Sequence, residues 1–187
     1  MGDSMNTLSG ALFFFAFLPY IWAIIINHQT APSPVSWAIW ASVNTLTFFA
    51  MKKEKAATGQ IVGATIGAWI ITVLALVFGK PTIELIEVCG IIIALAGVAL
   101  WKRTDNPLLQ IACAQIAMFA GAFATFAKAY ANPAKEDPIA WSIWWVSCLC
   151  ALFAVRKWDM ANALQPITFM TIETIMVFLV VIRPHLF

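Results

Sequence analysis

The sequence predicts an all-α membrane protein with seven transmembrane helices, arranged as two parallel three-helix repeats joined by a linker helix. Of its 187 residues, 62% are hydrophobic and only 11% are charged, and the mean hydropathy is +0.87. A soluble domain carries roughly a quarter charged residues because its surface has to be solvated. Long apolar stretches alternate with short charged breaks, and the second half of the chain repeats the pattern of the first. We therefore expect lipid to cover most of the surface.

The transmembrane helices follow from the lengths of the apolar stretches. A helix needs ~20 mostly apolar residues to cross the ~30 Å hydrocarbon layer, and an open strand is excluded there because its backbone groups would be unsatisfied. Seven stretches reach or approach this length: Leu8–Asn27, Pro34–Met51, Thr58–Phe78, Ile83–Trp101, Pro107–Tyr130, Pro138–Val155 and Ala161–Ile182.

Helix-start signals precede four of these stretches. Three starts place a capping side chain directly before a proline: Ser33-Pro34, Asn106-Pro107 and Asp137-Pro138. The side chain accepts from a free first-turn N–H, and proline at the first helical position loses no hydrogen bond. Thr82 is the expected cap of the fourth helix, with Glu84 in its positive first turn.

The distribution of basic residues predicts the orientation. Seven of the eleven Lys and Arg residues fall on the side of the N-terminus and four on the other side. Cytoplasmic loops carry the excess of positive charge, so we expect a cytoplasmic N-terminus and an external C-terminus. The two sets are Lys52, Lys53, Lys55, Lys102, Arg103, Arg156 and Lys157, and Lys80, Lys128, Lys135 and Arg183.

Several function classes lack their sequence signals. The net charge of +2 is too small to indicate nucleic-acid binding. The four cysteines lie in apolar stretches without metal-ligand spacing, which favours a packing role. His28 and His185 lie at the ends of predicted helices, and the aspartates are peripheral. We therefore predict no cofactor, no metal site and no enzymatic activity.

An internal repeat relates the two ends of the chain. A shift of 104 residues (141 − 37) aligns the first three predicted helices with the last three without a gap. The predicted units are residues 1–78 and 107–187, and residues 79–106 form the linker helix. Because three helices and one linker return the chain to its starting side, both units have the same orientation. The matched residues include Pro34 with Pro138, Trp37 with Trp141, Ile39 with Ile143, Trp40 with Trp144 and Lys53 with Lys157.

The motif residues resemble a known superfamily. Leu18-Pro19-Tyr20, a polar turn at residues 27–30, and Ser33-Pro34-Val35-Ser36-Trp37-Ala38-Ile39-Trp40 resemble the PQ-loop pattern of SWEET-type transporters, and more closely uncharacterised bacterial proteins with Pro-x-x-x-Ser-Trp-x-x-Trp. Tyr20 stands where the pattern has glutamine. The resemblance implies the three-plus-one-plus-three layout and a substrate site at mid-membrane between the second and third helices of each unit. Its bacterial members imply a place in a bacterial inner membrane.

Carrying this site onto the chain selects residues near the middle of the predicted helices. Glu173 stands out because a charged side chain at that depth costs ~2.5–3.5 kcal/mol on insertion scales, and no basic residue lies at the same depth. The alternative is a structural acid bonded to Asn44, Gln115, Thr171 or Thr174. The predicted substrate-binding residues are Trp40, Asn44, Trp69, Gln115, Trp144, Trp145 and Glu173.

Two further features have a functional and a structural interpretation. Trp37 and Trp40 share a helix face, as do Trp141 and Trp144, and such faces suit stacking on a ring or holding a cation. For Trp37 and Trp141 the interpretation that we favour is an anchor at the membrane interface. Pro19 removes a backbone hydrogen bond within the first predicted helix, which makes it either a hinge or a static bend.

These observations predict a membrane transporter of a small polar solute such as a sugar, an amino acid or a vitamin-like amine, working by alternating access. The alternative is a non-transporting accessory subunit of a larger membrane complex; a homo-oligomer is also compatible with the sequence. A transporter predicts that Trp40, Trp144 and Glu173 converge on a cavity, whereas a subunit predicts a sealed interior with tryptophans facing outward.

Overall fold

The chain folds into helices joined by short loops. The computed structural model describes residues 2–79 and 85–186, and no strand occurs among them. The helices are α1 (Gly2–Phe15), α2 (Phe17–Ile25), α3 (Pro34–Lys53), α4 (Gly59–Phe78), α5 (Leu85–Thr104), α6 (Pro107–Ala131), α7 (Pro138–Ala154) and α8 (Met160–Val177). A π-helical segment (Phe178–Ile182) and a 3₁₀ turn (Arg183–His185) extend α8.

The all-α class is confirmed, and four segments are long and apolar enough to cross a membrane. They are Gly2–Ile25, Gly59–Phe78, Pro107–Ala131 and Met160–His185, which correspond to the first, third, fifth and seventh predicted helices. Helix α7 is apolar but shorter. Helix α3 carries buried Ser36, Asn44 and Thr47, which lower its hydropathy.

The predicted cap residues occupy their expected positions. In each case the side chain accepts a hydrogen bond from a first-turn backbone N–H: Ser33 on α3, Asn106 on α6 and Asp137 on α7. Thr58 and Asp159 cap α4 and α8 in the same way, although neither precedes a proline. The predicted cap Thr82 and its neighbour Glu84 lie outside the described residues.

The first predicted helix is broken at Ala16, between α1 and α2. Pro19 has no N–H for the preceding turn, and its ring crowds the carbonyl of Phe15. The helix also begins at Gly2, not at Leu8 as predicted. Its polar first turns are held by α4, since the Asn6 Oδ1 accepts from the Gly59 N–H at 2.8 Å.

Six helices form a closed ring in the order α1, α4, α3, α6, α8 and α7. Helix α1 packs against α4 and α7, α3 against α4 and α6, and α8 against α6 and α7. Helix α5 lies outside this ring, against α6 and α3. Ion pairs Asp3–Arg156 and Lys53–Asp105 bring the start of α1 and the loops after α3, α5 and α7 to one face, which we call the N-terminal face. The opposite C-terminal face carries the loops after α2 and α6.

Helices α1 and α4 approach closely through a glycine face. A Cβ on Gly59 would lie 2.5 Å from the Asn6 carbonyl oxygen, and one on Gly63 would lie 2.7 Å from that of Gly10. A Cβ on Gly67 would overlap the Phe17 ring. Consecutive small residues of this kind allow close helix packing. Gly59 and Gly63 therefore let α1 approach α4, and Gly67 leaves space for the Phe17 side chain of α2.

The interior holds polar side chains, and the outer surface is apolar. Val73, Leu76 and Phe153 are 60%, 73% and 73% exposed, respectively. Such a surface suits contact with lipid, because apolar side chains gain nothing from facing water. The buried polar side chains in the helices include Ser9, Asn44, Thr47, Gln60, Gln110, Gln115, Ser147, Gln165 and Glu173.

Replacing Gly67 with leucine should destabilise the protein by about 1–3 kcal/mol, because the new side chain overpacks the Phe17 ring. Thermal unfolding of the purified protein in detergent measures the effect. Val73→Leu adds bulk on the exposed side of the same helix and should leave the melting temperature unchanged. Equal melting temperatures for the two variants would contradict the close contact of Phe17, in α2, with α4.

Candidate functional site

A cavity of about 50 Å³ lies inside the ring of helices, and every helix of the ring contributes to it. Its wall is mostly aromatic, with Asn44 and Glu173 as the polar groups besides the indole N–H donors. The lining residues are Phe13, Phe17, Trp37, Trp40, Asn44, Ala64, Ala68, Met118, Trp141, Trp144, Phe169, Ile172 and Glu173. Concave sites with a few convergent polar groups are the usual form of small-molecule sites.

Four tryptophans pack in two similar pairs around the cavity. The rings of Trp37 and Trp40 lie 5.1 Å apart at 79°, and those of Trp141 and Trp144 lie 5.1 Å apart at 73°. Trp37 and Trp141 are buried, at 6% and 2% exposure. They therefore lie in the core of the bundle, not in an interfacial belt as we expected.

Trp144 lies at the centre of this aromatic group. Its ring centroid is 4.9 Å from that of Phe17 and 5.5 Å from that of Tyr20. Its indole Nε1 donates to the Phe13 carbonyl oxygen at 3.0 Å. The indole of Trp40, the matching residue in the first unit, has no hydrogen-bond partner.

Glu173 is buried without a hydrogen-bond partner for its Oε2 atom, and the Oδ1 atom of Asn44 is likewise unpaired. Both residues line the cavity, with exposures of 5% and 4%. The threonines that offered a structural explanation for Glu173 are bonded elsewhere. Thr171 donates to the Ile167 carbonyl, and Thr174 donates to the Met170 carbonyl. An unpaired buried polar atom is costly, so these oxygens are available to a ligand.

Of the predicted site residues, the structure brings Trp40, Asn44, Trp144 and Glu173 together at the cavity. Trp69 lies on the outer surface, 45% exposed, where its Nε1 donates to the Thr45 hydroxyl.

Two further predicted residues also lie away from the cavity. Trp145 is half-buried, and its Nε1 donates to the Thr174 hydroxyl at 3.1 Å. Gln115 is buried, donates its Nε2 hydrogen to the Thr47 hydroxyl at 3.2 Å, and borders an outer groove between α6 and α8. These placements follow from the direction of each side chain around its helix, which depth alone does not give.

A buried acid that the sequence did not single out contacts the aromatic group at the C-terminal face. Glu136 is 2% exposed in the loop before α7. Its Oε2 accepts from the Trp141 Nε1 at 3.1 Å and, in a longer contact, from the Tyr20 hydroxyl at 3.4 Å. Burial raises the pKa of the Glu136 carboxyl, while Lys128 and the two donors oppose the rise. The one available signal was that Glu136 and Asp137 are consecutive acids, of which only one can cap α7.

Toward the N-terminal face, uncharged groups join the helices. Gln165 donates its Nε2 hydrogen to the Gln60 Oε1 at 3.0 Å, near the starts of α8 and α4. Ser147 donates to the Ser9 carbonyl at 2.8 Å and connects α7 to α1. Side-chain contacts between different helices are thus present toward both faces of the bundle.

Comparison with protein-family models, with curated proteins and with solved structures gave no match to this chain. Among residues 2–79 and 85–186, no three His, Cys, Asp or Glu side chains come together as metal ligands. The groups that can contact a ligand in this cavity are the aromatic rings, Asn44 and Glu173.

The raised pKa of Glu136 predicts a loss of stability as pH rises. The folded state holds this proton more tightly than the unfolded chain, so stability is fully present below the ordinary glutamate pKa and falls as pH rises through the raised value, by at most about 1.4 kcal/mol per pH unit. Melting temperatures measured across this pH range should fall less for Glu136→Gln than for wild type. Glu54→Gln, at an exposed position, should keep the wild-type slope, and identical slopes for all three proteins would overturn the prediction.

Proposed function

We propose that the protein is a transporter that moves a small polar solute through the central cavity by alternating access. The supporting observation is the unpaired carboxyl of Glu173, which lies with Asn44 in a cavity lined by every helix of the ring. A purely structural core has no need of an acid whose oxygen remains unbonded, because burying it costs free energy. A solute that bonds to these oxygens would compensate that cost.

The proposal includes seven membrane-crossing helices in the three-plus-one-plus-three layout. The 104-residue shift maps α1 onto α6, α3 onto α7 and α4 onto α8, and the packing order of the ring is unchanged by this exchange. The two tryptophan pairs, which the shift also exchanges, have the same 5.1 Å ring separation. Both observations support a duplicated unit with the solute between its copies, as in other parallel-repeat transporters.

Alternating access requires two gates that open in turn. The Glu136 contacts with Tyr20 and Trp141 form the first gate, and the Gln60–Gln165 and Ser9–Ser147 contacts form the second. The helix break at Ala16 lies between them, and the proposed cycle requires α1 and α2 to move against each other there. In this scheme Pro19 is the hinge.

Glu173 would bind a cationic group or carry a coupling proton, and the tryptophans would stack on the solute. With the N-terminal face in the cytoplasm of a bacterial cell, the Glu136 gate faces outward.

Transport is tested by uptake into proteoliposomes, with and without a proton gradient, over a panel of sugars, amino acids and amines. We expect Glu173→Gln to reduce uptake of the transported solute at least tenfold, because it removes the unpaired carboxylate from the cavity. Glu54→Gln, at an exposed position, should transport like wild type. Absence of uptake across the whole panel would favour the accessory-subunit alternative.

The gate at the C-terminal face is tested by removing the Tyr20 hydroxyl. Tyr20→Phe should speed hydrogen exchange of residues 132–141 about twofold, because one weak hydrogen bond to Glu136 is lost. Tyr130→Phe is the matched control, since that hydroxyl lies on an exposed side chain. Unchanged hydrogen exchange in Tyr20→Phe would show that the Tyr20 hydroxyl does not stabilise the gate.

A further inference from the structure

We propose that the solute is a small organic cation, whose ammonium group is held by the Glu173 carboxylate against the tryptophan faces of the cavity. This inference rests on the proposed transport function and specifies its substrate class. Three properties of the cavity support it: the sign of its charge, the chemistry of its wall and its size.

The charge of the cavity favours a positive ligand. Among the described residues that line the cavity, Glu173 is the one ionisable group, and none is Lys, Arg or His. A buried carboxylate without a partner is unfavourable, and a cation supplies the missing charge. An anionic solute would meet repulsion from Glu173 and find no positive group to offset its desolvation.

The wall suits an organic cation better than a metal ion. Seven aromatic side chains line the cavity, and a cation over an aromatic face is attracted by the ring quadrupole, most strongly over tryptophan. Hard metal ions such as Ca²⁺ instead require about six to eight oxygen ligands. The side chains of Glu173 and Asn44 provide three oxygens between them, which is too few for such an ion.

The size of the cavity favours a compact group. Its volume of about 50 Å³ is well below the ~150 Å³ of an engineered cavity that admits benzene. A primary ammonium group, as in methylammonium or ethanolamine, therefore suits it better than an aromatic ring, a hexose or a trimethylammonium group, which is about as bulky as benzene. The free Asn44 Oδ1 provides an acceptor for a hydroxyl or N–H group on the same ligand.

Binding to the full-length protein in detergent tests the substrate class directly, with quenching of tryptophan fluorescence and calorimetry as readouts. The probes are ethanolamine, methylammonium and ethylammonium, and propan-1-ol is the neutral isostere of ethanolamine. We expect at least one of the three cations to bind at millimolar concentration or below, and ethanolamine to bind at least tenfold more tightly than its isostere. Glu173→Gln should weaken cation binding about 30-fold.

Two tryptophan variants compare the effect of the cavity wall on cation binding with that of the outer surface. Trp40→Leu should weaken cation binding about threefold or more, through loss of a cation–π contact, and it removes no hydrogen bond. Trp22→Leu, at a side chain that is 58% exposed, should bind like wild type. Melting temperatures of all variants confirm that each protein tested is folded.

The outcomes separate the substrate class from the transport function. Equal affinity for ethanolamine and its isostere, no binding of any of the three cations, or unchanged affinity in folded Glu173→Gln overturns the cation proposal. Uptake of a sugar or neutral amino acid without cation binding also overturns it, but leaves transport standing. Cation binding without uptake of the same cation into proteoliposomes supports the ligand class and contradicts the transport function.

Discussion

The contacts of Trp144 hold the two halves of the bundle together. Its indole donates to the Phe13 carbonyl and packs on Phe17 and Tyr20, so that one side chain of α7 is fixed to both α1 and α2. This arrangement depends in turn on Gly67, because a Cβ there would overlap the Phe17 ring. The Phe17 and Trp144 rings meet edge to face, and both line the central cavity.

Glu173 is the acidic side chain in this mostly aromatic cavity. The interior of the protein holds a few polar side chains, whereas its outer surface is apolar. A carboxylate buried in such a bundle is unfavourable unless it has a partner. Within the described residues no basic side chain reaches the cavity. The cost of the buried acid is therefore offset by packing elsewhere in the chain. In the proposed transporter, a bound solute would reduce this cost, so the group that weakens the fold would also recognise the ligand.

Much of the fold could be predicted because its signals are local. Apolar stretches set the helices, Ser33, Asn106 and Asp137 set three starts, and Pro19 marked the break at Ala16. The direction of side chains around the helices was harder to predict. Trp69 lies at mid-helix depth but faces outward, because the glycine face of α4 has to meet α1.

Local sequence patterns did not predict the contacts between side chains that are far apart in the chain. Trp37 and Trp141 looked like interfacial anchors from their places near the helix starts, although the ring of helices encloses them. Glu136 resembled an ordinary loop acid until the fold placed Tyr20 and Trp141 against it. Of the two sets of contacts, the Glu136 contacts hold a carboxyl, which gains charge as pH rises, whereas the amides and hydroxyls opposite do not titrate. In the proposed transporter the two sides of the membrane would therefore act on the protein unequally, because only a change of acidity on the Glu136 side would alter the charge of a gate.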